Sequence, residues 1–527
     1  MRPEHPQHRS QPGFRWPVRT LWDDVAGRAA RRPQALAVSD ELGSYTYAEL
    51  AAATLTLASR YRSMGVGRGD VVIVQMYGDR RFVPVFLAAE RLGAVVTPLL
   101  PVFKGPAFSA IAKLATPSLV VTANDPDSLD GIGETPVVTV SPSGGVPAID
   151  DLLDHRNSGE TLPDPPGVHE LAELAFTSGT TGLPKGVLHT HATATAGILS
   201  TLSRQGMGPN DVVHVALPVG HNFGYFYGVR LGLHAGAHVV LQQRWNPDLM
   251  LDLCERHTVT VSSGPPAFLV DLLACRSQWR GRLDSLRLFT CAGAKLDVEV
   301  AEAVVRSVPG RMSKAFGMTE VGHVCSTSAD APSGKLLSTE GEPHPEIEMR
   351  VMGTGGSRLG RGEEGEIAFR GPFVMVGYHD GRFAKAIDPA GFFRTGDLGY
   401  ADPDGYLVVT GRVKNMVIRG GENIPAETVE QALLGHELIE DAVVVGVPDR
   451  RLGERPVACV QAGSGFAPQP ADLAGHLRLS GIPATHWPEA VVTVDAIPRG
   501  DTGKVRRVDL RRLASDLAVF DKVAADE

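Results

Sequence analysis

Cysteine is scarce in this chain and is nowhere paired by spacing. Cys254, Cys275, Cys291, Cys325 and Cys459 stand far apart, with no CxxC motif and no even framework. That excludes a disulfide-stapled scaffold and predicts buried thiols of a reducing compartment. Long apolar runs are missing as well: no stretch approaches the roughly 18 residues a membrane-spanning helix needs. The polar, proline-broken segment from Met1 to Pro17 has no apolar signal core. The expectation is a cytoplasmic protein with no membrane partner. Nor is there a long run of one charge. The balance of 51 basic and 60 acidic residues gives −9, so nothing favours a nucleic-acid surface. A GxSxG nucleophile elbow is absent, which argues against a hydrolase.

What is present is an ordinary globular composition, 43% hydrophobic and 21% charged over 527 residues. A single core seldom grows past about 250–300 residues, so more than one domain is expected. Residues 1–17 predict a flexible arm. Thr46-Tyr47-Ala48-Glu49 has the form of a capping box before Leu50, Leu55, Leu57 and Tyr61, and Gly65 is placed to stop that helix. Strands are predicted at Val71–Met76, Ala94–Thr97 and Ser118–Thr122, with a helix near Phe82–Leu92. Further apolar runs at Val212–Leu217, Ala237–Leu241, Thr258–Ser262 and Leu286–Thr290 alternate with helical stretches. Strands alternating with helices imply parallel sheets covered on both faces. From Gly365 the pattern changes to short strands and turns, among them Asp402-Pro403-Asp404-Gly405. A final piece of about 110 residues has its own βα pattern and the size of a small domain.

The densest motif is Thr177-Ser178-Gly179-Thr180-Thr181-Gly182-Leu183-Pro184-Lys185-Gly186. Glycines and small hydroxyl residues let backbone N–H groups turn towards an anion, and Lys185 adds positive charge. This is not a Walker A loop, because Gly179 and Gly182 are separated by two residues and Gly186, not Ser or Thr, follows Lys185. Ten residues in this order resemble the phosphate loop of the adenylate-forming superfamily, which includes acyl- and aryl-CoA synthetases, luciferases and peptide-synthetase adenylation domains.

Further segments fit that resemblance over nearly the whole chain. Phe316-Gly317-Met318-Thr319-Glu320 resembles the family's aromatic-Gly-x-Thr-Glu motif. The resemblance implies Phe316 on adenine, Thr319 on the α-phosphate and Glu320 on Mg²⁺, and a carboxylate is a suitable hard ligand for magnesium. Gly293 and Ala294 would line the adenine pocket, with Lys295 following as in aryl-acid adenylating members. Asp397, in Arg394-Thr395-Gly396-Asp397, would accept from both ribose hydroxyls. Arg412 would contact ribose or phosphate, and Lys414 occupies the hinge position, where Asn415 departs from the usual acidic residue. Gly420-Gly421-Glu422-Asn423-Ile424 resembles the loop that reaches the site for thioester formation in CoA ligases. Lys504, in Pro498-Arg499-Gly500-Asp501-Thr502-Gly503-Lys504, resembles the catalytic lysine.

The fold so implied is α/β: a large N-terminal domain of βα-sheets plus a distorted β subdomain, with a small mobile α+β C-terminal domain. The expected boundaries are 18–411, a hinge at 412–416, and 417–527. ATP, Mg²⁺ and CoA as co-substrate are the implied cofactors. The acid pocket is expected along Pro218–Gly232. There Gly220, Gly224, Gly228 and Gly232 recur every fourth residue, either for close helix packing or to leave room for a bulky acyl group. His221-Asn222 resembles the pair of 2-hydroxybenzoate and 2,3-dihydroxybenzoate adenylating enzymes. Phe226-Tyr227-Gly228, Pro98–Phe103 and His486–Glu489 resemble ligases of cyclohexanecarboxylate and medium-chain acids. Ser263 and Gly264 are further pocket candidates. The reading is an ATP-dependent acid–CoA ligase for a hydrophobic, cyclic acid. One alternative is an enzyme that passes its acyl-AMP to a carrier protein or separate partner, and a second is a silent nucleotide-binding scaffold. The sequence does not decide between monomer and homodimer.

Overall fold

The computed structural model describes residues 14, 16–142, 145–154, 161–177, 184–294, 296–328, 331–379, 386–419, 422–449, 451–463, 466–480, 482–499 and 505–518. The chain divides into two compact units: Met1–Met349 with Phe369–Phe393, and Arg350–Ala368 with Arg394–Glu527.

The first unit is built on two sheets. In the larger, of nine strands, Val212–Val215, His238–Leu241, Val261–Gly264, Leu288–Ala292 and Arg311–Met318 run parallel. Gly322–Ser326 then folds back antiparallel on Arg311–Met318. In the smaller, of seven, Val71–Gln75, Val95–Pro98, Leu119–Thr122 and Val137–Thr139 are parallel. Val95–Pro98 continues the parallel set to Leu171–Thr177, which pairs antiparallel with Lys185–Thr190. Val71–Gln75, Val95–Pro98, Leu119–Thr122, Val212–Val215, His238–Leu241, Val261–Gly264 and Leu288–Ala292 overlap the apolar runs read from the sequence, because a strand buried on both faces reads as a continuous run of Val, Leu and Ile, whereas Val137–Thr139 and Arg311–Met318 lie on none of those runs. The largest core draws side chains from both sheets and from the helices Tyr47–Ser63, Phe82–Leu92 and His191–Gln205. The capping box forms as expected: Glu49 N–H donates to Thr46 Oγ1, and Thr46 N–H donates to the Glu49 carboxylate. The helix stops at Ser63, before Gly65 at φ +94°. Of the residues expected to form an arm, Trp16 stands edge-on to His169 with ring centroids 6.2 Å apart, so packing begins before residue 18.

The second unit carries a four-stranded sheet that includes Phe393–Ala401 and Leu407–Arg412, an antiparallel pair turned by Asp402–Gly405. Its other sheet has five strands, from Met416–Arg419 to Ala490–Thr493, packed with helices Ala426–Leu434 and Arg507–Leu517. Arg507 grips Glu430 with both terminal guanidinium nitrogens, at 2.6 and 2.8 Å, tying helix Arg507–Leu517 to helix Ala426–Leu434.

The segment with four evenly spaced glycines is not a straight α-helix. Gly220 precedes it, Asn222–Gly224 is one short α segment, Tyr225–Arg230 is a π-helix and Leu231–Ala235 returns to α. A Cβ on Gly224 would meet the Pro218 carbonyl oxygen at 2.4 Å, on Gly228 the Val215 methyl at 2.7 Å and on Gly232 the Val239 methyl at 2.5 Å. Of the two explanations open from sequence, close packing is the one these distances support.

Candidate active site

The strands Leu171–Thr177 and Lys185–Thr190 bracket the phosphate-loop motif, with Thr177 paired to Lys185 at the end of the hairpin that the motif joins. Ser178, Gly179, Thr180, Thr181 and Gly182 lie outside the described residues, as do Lys295, Gly420, Gly421 and Lys504. Lys185 Nζ stands 5.8 Å from the centre of the Tyr378 ring, a cation–π arrangement. Tyr378 reaches that place because Gly377–Tyr378 adds a short antiparallel strand to Lys185–Thr190. Its hydroxyl donates to Glu320 Oε1 at 3.1 Å. Burial pushes the Tyr378 pKa up, and the Glu320 carboxylate pushes it further, so the phenol stays a donor.

Thr319 and Glu320 occupy the turn between Arg311–Met318 and Gly322–Ser326, closed by Val321 N–H donating to Met318 O at 3.2 Å. Glu320 is buried, and its carbonyl accepts from Met375 N–H at 2.8 Å. Phe316 is half-buried, its ring 5.9 Å from that of Phe369. A single oriented carboxylate fits Mg²⁺, a hard ion that takes one or two protein carboxylates and completes its shell with water and phosphate oxygens. Among the described residues no group of three or more His, Cys, Asp or Glu could hold a metal without such help.

A cavity of about 100 Å³ opens beside this turn. Of the residues expected on the acid side, His221 and Asn222 line it; of those expected on the nucleotide side, Gly293, Gly317 and Thr319 do. Gly224, Gly228, Ser263, Gly264 and Ala294 are not in its wall. Gly264 is instead closed off by the Phe268 ring, which a Cβ at that position would meet at 2.2 Å. His221 accepts from Phe223 N–H through Nδ1 at 3.2 Å and so also caps the short helix. Asn222 Nδ2 donates to Glu173 Oε2 at 3.4 Å. Glu173 is fully buried and belongs to a polar cluster with Glu90, Arg230 and Tyr225, in which Arg230 is ion-paired to Glu90 and bonded to the Tyr225 hydroxyl at 3.2 Å. Burial holds the Glu173 carboxyl well above the usual carboxylate range, despite Arg230 nearby.

Phe226 and Tyr227, from the expected Pro218–Gly232 segment, also line it, and residues that sequence reasoning missed complete the wall: His189, Thr193, His323 and Phe373 among them. His189 shares a strand face with Lys185, four residues earlier, so period-2 alternation was a usable signal. His323 follows the Thr-Glu motif by three residues, but nothing in its own spacing marks it. Phe373 and Tyr378 are brought in only by tertiary pairing.

In the second unit, Asp397 and Arg412 are opposite each other in the strand pair, with Arg412 Nε 2.7 Å from Asp397 Oδ1. Asp397 is buried while the Arg412 side chain is about half exposed. Burial raises the Asp397 pKa; Arg412 and then Lys414 oppose that rise. Lys414 lies in the 3-10 turn Val413–Asn415, and Asn415 donates to Glu427.

The chain is similar to known proteins over most of its length. Residues 25–379 match the family model described as AMP-binding enzyme, and 428–504 match that of the AMP-binding enzyme C-terminal domain. The chain is 32% identical to the medium-chain fatty-acid–CoA ligase of Escherichia coli strain K12, over 94% of this chain and 91% of that protein. It is 33% identical to the salicyl-AMP ligase / salicyl-S-ArCP synthetase of Mycobacterium tuberculosis, over 94% and 91%. Among solved structures, ATP-bound MatB from Rhodopseudomonas palustris superposes with a TM-score of 0.83 at 28% identity, covering 94% of this chain and 99% of that one. No helix among the described residues is long and apolar enough to cross a membrane.

Proposed function

From the premise that this chain belongs to the AMP-binding, adenylate-forming enzyme family, whose members activate a carboxylic acid as its acyl-AMP, we propose that it is an acid–CoA ligase for a hydrophobic, cyclic carboxylic acid. The observation that carries this reading is the cavity in which His221 and Asn222 meet Gly317 and Thr319. Acid and α-phosphate must come within reach of each other, and one continuous space allows it.

In the first step a carboxylate oxygen attacks the α-phosphorus of ATP, and the bond to the β-phosphate bridging oxygen breaks. Both reactants are anionic, so the barrier is largely charge repulsion. Lys185 offsets it at the phosphates, held against the Tyr378 ring. Thr319 would bond the α-phosphate, and Phe316 would stack on adenine. Asp397 and Arg412 would take the ribose. Lys504, assigned from its motif, would bridge carboxylate and α-phosphate as an electrostatic clamp rather than a base. Mg²⁺ at Glu320 would neutralise phosphate charge. In the second step the CoA thiol attacks the acyl carbon and AMP leaves, and residues 417–527 would turn about the hinge position Lys414 between the two steps. The apolar side chains of Phe226 and Phe373 in the cavity wall support a hydrophobic acid.

A second acceptor has support of its own: the mycobacterial relative is named for both an AMP-ligase and an S-ArCP synthetase activity, so a carrier-protein thiol could replace CoA. The test is acid-dependent pyrophosphate release across salicylate, benzoate, cyclohexanecarboxylate, medium-chain and polycyclic acids, for the wild type and Lys504→Ala, with CoA added to the positives. Release abolished by Lys504→Ala, with a CoA thioester formed, supports the ligase. Release without thioester refutes CoA as acceptor, and no release with any acid refutes the reading of the site.

A further inference from the structure

We propose that His189 is a positioning residue for the adenylation step, fixing the Thr319–Glu320 peptide through its Nε2–H. The proposal rests on the acid-activating reading above.

His189 Nε2 lies 2.7 Å from the Thr319 carbonyl oxygen. A carbonyl only accepts, so Nε2 carries the hydrogen and Nδ1, 3.1 Å from Thr193 Oγ1, is the accepting nitrogen. The residue is 3% exposed. Burial lowers its pKa to about 4, so the ring is neutral near pH 7 and this tautomer persists. The Phe226 ring meets it edge-on, with centroids 5.8 Å apart. Two hydrogen bonds and an aromatic contact therefore hold the imidazole in one orientation.

That orientation matters because of what it holds. The peptide is planar, so fixing the Thr319 carbonyl fixes the direction of the Glu320 N–H and restricts both side chains. The same turn is held at its other end by Met375 N–H on the Glu320 carbonyl and the Tyr378 hydroxyl on the Glu320 carboxylate. Without His189 the Thr319 carbonyl would lose its partner at this part-buried turn, and the peptide could rotate to seek another. His189 also lines the cavity with Asn222 and Thr319, and it stands opposite Glu173 in the strand pair, the residue that accepts from Asn222. One cross-strand pair thus steadies the acid wall through Glu173 and the phosphate turn through His189.

The experiment compares His189→Met, which removes the donor, with His189→Gln, whose amide N–H can reach the same carbonyl. Acid-dependent pyrophosphate release is measured with KM for acid and ATP, alongside melting curves. A turn displaced by about 1 Å costs on the order of 100-fold. The expected result is a loss in kcat of about 10–100-fold for His189→Met, with both KM values within about threefold of wild type. His189→Gln should recover most of kcat at a similar melting temperature. Equal losses in the two variants, or an unaffected kcat in His189→Met, would overturn the positioning role. If wild type releases no pyrophosphate with any acid, it is the acid-activating reading that fails, and the proposal with it.

Discussion

Replacing Gly228 by alanine separates two uses of glycine beside the cavity. A Cβ at that position would stand 2.7 Å from Val215 Cγ1 and 3.1 Å from Cγ2, about 0.7 Å inside ordinary van der Waals contact at the closer methyl. Val215 is 1% exposed, and its strand is hydrogen-bonded on both edges, to His238–Leu241 and Val261–Gly264. It cannot recede cheaply. Overpacking of this kind costs about 2–3 kcal/mol, while alanine's better helix preference returns about 1 kcal/mol. The net loss is about 1–2 kcal/mol, a fall in melting temperature of roughly 1–3 °C for a unit of this size. Trimming the neighbour should relieve the clash, so Gly228→Ala combined with Val215→Ala should be more stable than the sum of the single changes by about 1–2 kcal/mol. Thermal melts of the four proteins of the cycle measure this, with pyrophosphate release over the acid panel run in parallel. Packing is refuted if Gly228→Ala melts like wild type but accepts a narrower range of acids, since the glycine would then be leaving room for substrate.

Other expectations follow from the buried polar groups. Because burial keeps the Glu173 carboxyl above its usual range, Glu173→Gln should change stability by less than about 1 kcal/mol at pH 7, and a large drop in melting temperature would mean the carboxylate is ionised. Burial lowers His189, His191, His214 and His323 to about 4, against about 6.5 in an unfolded chain. The unfolded state then binds more protons between those values, so stability is fully present above about pH 6.5 and is lost as pH falls towards 4. Melting temperatures recorded from pH 7.5 to 4.5 should decline in that window, and a flat profile would contradict neutral, buried histidines. Arg412→Ala removes the cation beside Asp397 Oδ1; KM for ATP should rise several-fold while the preference among acids stays unchanged, and a shift in acid preference would remove Arg412 from the nucleotide side.

Much of this protein was legible in one dimension. The parallel strands were visible because burial on both faces demands unbroken apolar runs, and the Thr46–Glu49 cap because its two hydrogen bonds are made within four residues. The motifs at Thr177–Gly186, Phe316–Glu320, Asp397 and Lys504 could be picked out because each is a short run of neighbouring residues that resembles a family motif. The glycine-rich segment from Gly220 to Gly232 was not readable in the same way. Spacing of four suggested a stripe, but a π-helix and the nearness of Pro218, Val215 and Val239 are properties of a packed neighbourhood. The same holds for Tyr378 over Lys185, for His189 on the Thr319 carbonyl and for Phe373 in the cavity wall. Each of these places side by side residues that are far apart in the chain, so no local spacing could announce it. Local chemistry declares itself in sequence because covalent neighbours carry it. The shape of the cavity beside Thr319 is decided only in three dimensions, where strands distant in sequence bring their side chains together.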